Sequence, residues 1–121
     1  LEFRRVLFRS TMLRDRADRA LAAGLAPAQI VLDAGLDLGK TPAQSAVLVR
    51  ETGVHASMGF PFLLSASNKR FIGALLGLEV DDRRTESLAS VAYGVINGAR
   101  IVRVHDVAGT TRVCRTIEAL L

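Results

Sequence analysis

The chain is predicted to be α/β, with parallel strands alternating with helices. Three short apolar runs, Ile30-Val31-Leu32, Phe60-Pro61-Phe62-Leu63-Leu64 and Ala99 to Val104, each give way at once to a polar segment. The stretches between them carry apolar residues at helical spacing. Where parallel strands alternate with helices, the carboxyl ends of the strands share one face, and the loops there collect the chemistry.

Taken in order, Leu13 to Gly24 is expected to be a helix, with Leu13, Ala17, Ala20 and Leu21 on one stripe and Gly24 as its C-cap. Strand Ile30 to Leu32 follows and ends at Asp33. A glycine-containing loop then reaches Thr41-Pro42, an N-cap with proline at the first helical position, opening a helix to about Glu51. His55 to Gly59 are expected to be a return loop before the strand Phe60 to Ser65. Asn68 is the expected cap of a short helix, Lys69 to Leu76, which Gly77 breaks. After a solvated Asp81-Asp82-Arg83-Arg84 loop, a helix from about Thr85 to Asn97 should turn Leu88, Val91, Ala92, Val95 and Ile96 inward. The third strand, Ala99 to Val104, precedes a last helix from about Thr110 to Leu120, with Val113 and Ile117 at helical spacing.

With 121 residues, half of them apolar, the chain has material for one ordinary core and no sign of disorder. Residues 1–10, Leu1-Glu2-Phe3-Arg4-Arg5-Val6-Leu7-Phe8-Arg9-Ser10, fit the alternation poorly and are expected to be a non-native leader, with the domain at 11–121. They lack the ~7–15-residue apolar stretch and small-residue cleavage site of a signal peptide. Arg4, Arg5 and Arg9 against Glu2 account for half of the net charge of +4. The rest is nearly balanced and has no aromatic stacking platform or basic helix face, which argues against nucleic acid. No apolar run approaches the ~20 residues of a membrane span. One cysteine, Cys114, builds neither a disulfide framework nor a cysteine-based zinc site, so a reducing cytoplasm fits best.

Each strand end has chemistry of its own. Arg103 and His105 lie two residues apart on an extended chain and leave it on the same side. Arginine offers a planar fork for phosphate oxygens, and histidine adds a hydrogen bond or a proton near neutral pH. The amides opening the following helix would reinforce an anion site. The alternative is an Arg103–Asp106 ion pair beside an ordinary surface histidine. Asp33 leaves an apolar strand and needs donors, which a ligand donor edge or a turn of its own loop would supply. Lys69 is either a solvated first-turn lysine or a cation placed for an anionic or acceptor-rich neighbour.

The segments Asp33-Ala34-Gly35-Leu36-Asp37-Leu38-Gly39-Lys40, Ser65-Ala66-Ser67-Asn68-Lys69-Arg70 and Arg103-Val104-His105-Asp106 resemble the strand-end motifs of dihydropteroate synthase, D-P-G-x-G-F-x-K, S-R-K-x-x-x-G and R-V-H-D, in the same order. The resemblance spans about Leu13 to Leu121. It implies the C-terminal portion of a (β/α)8 TIM barrel, with about three βα units present out of the ~250 residues such a barrel takes. Open sheet edges and an uncovered apolar face follow from that. The implied reaction joins the amine of p-aminobenzoate to the methylene of 6-hydroxymethyl-7,8-dihydropterin diphosphate, releasing pyrophosphate with the help of Mg²⁺. Asp33, Lys69 and Arg103 would line the pterin pocket, and Arg103 and His105 would lie near the pyrophosphate. No metal ligand is expected among these residues; it would come from the missing N-terminal half. The resemblance also implies a homodimer.

Departures from the motifs are part of the reading. Ala34 stands for proline, Asp37 and Leu38 for glycine and phenylalanine, Ser65 for glycine and Asn68 for arginine. They touch the p-aminobenzoate side, removing a stacking surface and a charge. This form resembles a second-copy branch found beside ordinary synthases, so a catalytically inactive homologue that binds pterin or a protein partner is the alternative. A pterin-binding methyltransferase ranks behind it, because it has no use for a pyrophosphate pocket.

Overall fold

The structure, a computed structural model, describes residues 2–121. Helix α1 (Glu2–Ala22) packs beside a parallel sheet of β1 (Leu32–Asp33), β2 (Phe62–Leu64) and β3 (Ile101–Val102), in that spatial order. Helices α2 (Pro42–Arg50) and α3 (Thr52–Ala56) join β1 to β2, α4 (Arg70–Leu76) and α5 (Arg84–Ile96) join β2 to β3, and α6 (Val107–Leu120) closes the chain. Short 3₁₀ turns occupy Pro27–Gln29 and Val80–Asp82. The expected α/β order with three βα units is what forms. Among the described residues, no helix is long and apolar enough to cross a membrane.

Helix α1 starts at Glu2 rather than Leu13, because no glycine or proline interrupts residues 2–22. It therefore takes in residues 2–10 of the expected leader. Its end is as expected: Gly24, at φ 99°, donates to Leu21 O while Leu25 donates to Ala20 O, the paired bonds of a Schellman turn. The Thr41 cap also forms. Thr41 Oγ1 accepts the Gln44 N–H at 3.2 Å, and Gln44 Oε1 accepts the Thr41 N–H at 3.0 Å, with Pro42 at the first helical position.

The strands are shorter than their apolar runs. Ile30 spends its N–H on Pro27 O in the 3₁₀ turn, so Leu32 is the first residue to bond across, to Pro61 O. Leu32 lies opposite Phe62, Asp33 opposite Leu63, and Leu63 opposite Ile101. Successive residues thus alternate between two faces. One face holds Leu32, Phe62, Leu64 and Val102, and the helices cover it: Ala17 of α1, Leu48 and Val49 of α2, and Phe71 and Ile72 of α4 join the same core. Helix α5 fits close, since a Cβ on Gly94 would lie 2.2 Å from Leu64 Cδ2. The other face, with Val31, Asp33, Ile101 and Arg103, is exposed.

Four local expectations give way. Residues Thr52–Ala56 coil into α3 instead of a loop, burying His55 with its ring stacked on Phe62 at 5.3 Å. Asn68 does not cap α4: at φ 55° it is left-handed, whereas an N-cap is extended, and its Oδ1 accepts from Ser87 Oγ. Lys69 stands at the N-cap position, and its side chain makes no capping hydrogen bond to the helix. Helix α6 begins at Val107 because Asp106 Oδ1 accepts the Gly109 N–H at 2.8 Å. Ile96 faces outward at 59% exposure, since the buried stripe of α5 runs through Ser87, Val91 and Gly94.

Candidate functional site

Because the strands are parallel, their carboxyl ends deliver three loops to one end of the sheet: residues 34–41 after β1, 65–69 after β2 and 103–106 after β3. The first loop is held largely by its own polar groups. Lys40 Nζ donates to Gly35 O at 2.5 Å and to Leu38 O at 2.8 Å, pinning the turn from inside. Burial, then the positive charges of Arg9 and Lys69, pull the Lys40 pKa below the ordinary lysine value, while Asp33 and Asp37 act the other way. Lys40, Lys69, Asp33 and Asp37 therefore share one electrostatic neighbourhood.

Asp33 is exposed, and its Oδ1 accepts the Gly35 N–H at 2.8 Å. That is the turn-capping role foreseen as the plainer alternative. Among the described residues, Oδ2 has no hydrogen-bond partner, so half of the carboxylate stays available to a donor from outside. Lys69 is half-buried and its Nζ donates to Leu36 O at 3.3 Å, reaching across from the second loop to the first.

Arg103 and His105 both emerge exposed, alternating with the half-buried Val102 and Val104, as the period of two requires. Arg103 donates its backbone N–H to Leu64 O, which extends the β2–β3 ladder past β3. By register, its side chain belongs to the face that carries Asp33 and Ile101. His105 is held by Ser67: Ser67 Oγ lies 2.9 Å from Nδ1 and accepts the His105 N–H at 3.2 Å. Ser67 and Lys69 sit on one short loop, so the histidine and the lysine are set by the same segment.

The Arg103–Asp106 ion pair considered from sequence does not form. Asp106 pairs with Arg84 at 2.7 Å instead. The Gly109 N–H, followed by the Arg84 guanidinium, holds the Asp106 carboxyl below the ordinary aspartate range despite some desolvation. Arg103 keeps its guanidinium free of protein ion pairs among the described residues. A cavity of about 330 Å³ lies behind, between α5 and α6, with Val91, Val104 and His105 among its lining residues.

Two contributors were not visible in sequence as site residues. Ser67 falls in a quoted motif, but its contact with His105 spans 38 positions. Arg83 buttresses the second loop from behind, donating to Asn68 O at 3.2 Å and Lys69 O at 3.4 Å. A serine two residues before the strand-end lysine was the one local signal for the first; the second had none. No group of three or more His, Cys, Asp or Glu side chains able to hold a metal occurs among the described residues.

One end of the parallel sheet thus presents an exposed arginine, a histidine tethered to Ser67 and a carboxylate with one oxygen spent on its own loop, on an α/β fold flanked by helices. Residues 6–105 match the family described as pterin binding enzyme, and the chain belongs to that family. It is 36% identical over 104 residues to inactive dihydropteroate synthase 2 of Mycobacterium tuberculosis, covering 86% of this chain and 33% of that protein. It is 40% identical over 110 residues to dihydropteroate synthase of Neisseria meningitidis serogroup C, covering 89% and 39%. The structure of dihydropteroate synthase from Xanthomonas albilineans in complex with 7,8-dihydropteroate superimposes with a TM-score of 0.92 at 31% identity, over 96% of this chain and 45% of that one. The fold is thus the C-terminal portion of a (β/α)8 barrel, and the chain spans a third to under half of the length of these relatives.

Proposed function

We propose that the protein carrying this chain is a dihydropteroate synthase of folate biosynthesis, condensing 6-hydroxymethyl-7,8-dihydropterin diphosphate with p-aminobenzoate to give 7,8-dihydropteroate and pyrophosphate. The observation that carries this is that Arg103 and His105 both emerge exposed just past β3, with Arg103 free of protein ion pairs among the described residues and His105 tethered to Ser67.

In the reaction the p-aminobenzoate amine attacks the methylene, its bond to the diphosphate oxygen breaks, and the amine loses a proton. Charge grows on the departing diphosphate. Arg103 and His105 would meet that charge with donors already in place, which is where preorganised electrostatics lowers a barrier. Asp33 Oδ2 would accept from the amino and ring N–H edge of the pterin, and Lys69 would complete the pocket. Mg²⁺, when bound, would neutralise charge on the diphosphate, and its ligands would come from parts of the whole protein outside these residues. The same reading carries a cytoplasmic homodimer.

A second reading is a catalytically inactive homologue that still binds pterin. It is favoured by Leu38, which is 70% exposed where an aromatic stacking surface would serve the benzoate, and by Asn68, whose amide is spent on Ser87. The similarity to inactive dihydropteroate synthase 2 supports the same reading.

The test is made on the longest reading frame containing these residues. Pteroate formation with Mg²⁺ is measured beside calorimetric binding of the pterin diphosphate. Turnover that falls about 10²–10³-fold in Arg103→Ala, the usual effect of deleting one charge-stabilising donor, supports the synthase. Binding without turnover selects the inactive homologue, and no binding sinks both.

A further inference from the structure

Asp37 has a backbone φ of 63°, in the left-handed region that glycine tolerates and other residues rarely adopt. A non-glycine residue is strained there, an aspartate less than most, and such strain persists only where the surroundings over-determine it. Here they do. Asp37 Oδ2 accepts the Arg70 N–H, the first amide of α4, at 2.5 Å. Oδ1 accepts from Ser45 Oγ at 3.3 Å, and the Asp37 N–H donates back to Ser45 Oγ at 2.9 Å. Ser45 is fully buried, at 0% exposure, so one end of this connection is anchored in the core.

The other end is the loop that carries Lys69. Lys69 reaches Leu36 O, next to Asp37, from the same side. Arg83 grips the carbonyls of Asn68 and Lys69 as well. The backbone of Lys69 is thus fixed between two clamps, and Asp37 is the one that ties it to the loop of Asp33.

From this geometry we propose that Asp37 is a positioning residue: a carboxylate latch that locks the loop after β1 to the loop after β2 and presents Lys69 and Asp33 to the pterin as one preformed unit. The proposal rests on the pterin reading above. The latch lowers the cost of ordering the lysine when ligand arrives. It also gives this chain's strained aspartate a role at a position where glycine would fit without strain.

The longest reading frame containing the chain is compared with Asp37→Gly, which relieves the backbone and removes the carboxylate, and Asp37→Asn, which tolerates the left-handed backbone and keeps an acceptor. Asp37→Gly is expected to weaken pterin diphosphate binding by about 3- to 10-fold, the scale of one or two side chains that must be ordered on binding. Asp37→Asn is expected to restore most of it. In a Lys69→Ala background, Asp37→Gly should cost almost nothing further, because the aspartate acts through the lysine.

Unchanged affinity in Asp37→Gly overturns the proposal, as does a loss of the same size with and without Lys69. If the unaltered protein binds no pterin, the family-based function falls and the latch is decided by amide exchange at Arg70. Faster exchange in Asp37→Gly then supports it, and unchanged exchange overturns it.

Discussion

Alternate residues of the same strands meet opposite surroundings. Leu32, Phe62 and Leu64 are 4%, 1% and 3% exposed beneath the helices, whereas Val31 and Ile101 on the other face are 45% and 40% exposed. The covered face therefore supplies the burial that stabilises the chain, at ~25 cal/mol per Å² of apolar surface. The uncovered face contributes little to that and is free to carry Asp33 and Arg103 at its polar end. Stability and chemistry are separated by one residue of register, so a slip by one would exchange them.

Breaking the covered face should have the largest effect. Phe62→Ala leaves a hole beneath His55 and is expected to cost about 3–5 kcal/mol, a large share of the roughly 5–15 kcal/mol that holds an ordinary domain together. Val31→Thr, just before β1 and exposed, should stay within about 0.5 kcal/mol. Urea titration of both variants measures the contrast, and equal losses would show that the uncovered face is packed in solution.

Adding volume to the covered face should cost less than removing it. In Gly94→Ala the new methyl meets Leu64 Cδ2, the end of a side chain that can turn aside but has Ala99 close by. Overpacking of this kind costs about 1–3 kcal/mol. Restoration by Leu64→Val in the same chain would locate the clash, while a Gly94→Ala protein of unaltered midpoint would mean that α5 shifts freely over the sheet.

The fold was legible because its signals are local. Thr41 and Pro42 spell the start of a capped helix within two positions, and the apolar runs Ile30 to Leu32, Phe60 to Leu64 and Ala99 to Val104 mark the strands without reference to any partner. Arg103 and His105 were legible for the same reason, since two residues on an extended chain share a side. What escaped depends on distance in sequence. His105 with Ser67, Asp37 with the Arg70 amide, and Arg84 in place of Arg103 as the partner of Asp106 are pairings between different βα units. They are fixed by how the units stack, which local periodicity does not encode. Asn68 was misjudged more simply: its type suits a cap, but its backbone is left-handed.

The smallest expected effect comes from the one titratable side chain stacked in the covered face. His55 is fully buried and neither ring nitrogen finds a hydrogen-bond partner. Burial therefore pulls its pKa below the ordinary histidine value, reinforced by Arg9 and opposed by the backbone and carboxylate of Glu51. In the unfolded chain the ring takes its proton near pH 6.5; in the folded chain it resists. The unfolded state then binds more protons, so stability is whole above that pH and declines as pH falls below it, by at most about 1.4 kcal/mol per pH unit for one proton. His55→Leu keeps an apolar side chain at the site and removes the titration. Thermal midpoints measured from pH 7.5 to 5.5 should fall more steeply in the unaltered chain than in His55→Leu. Parallel curves would mean that the ring reaches water or a partner when it charges, and that the covered face is less sealed over α3 than over the rest of the sheet.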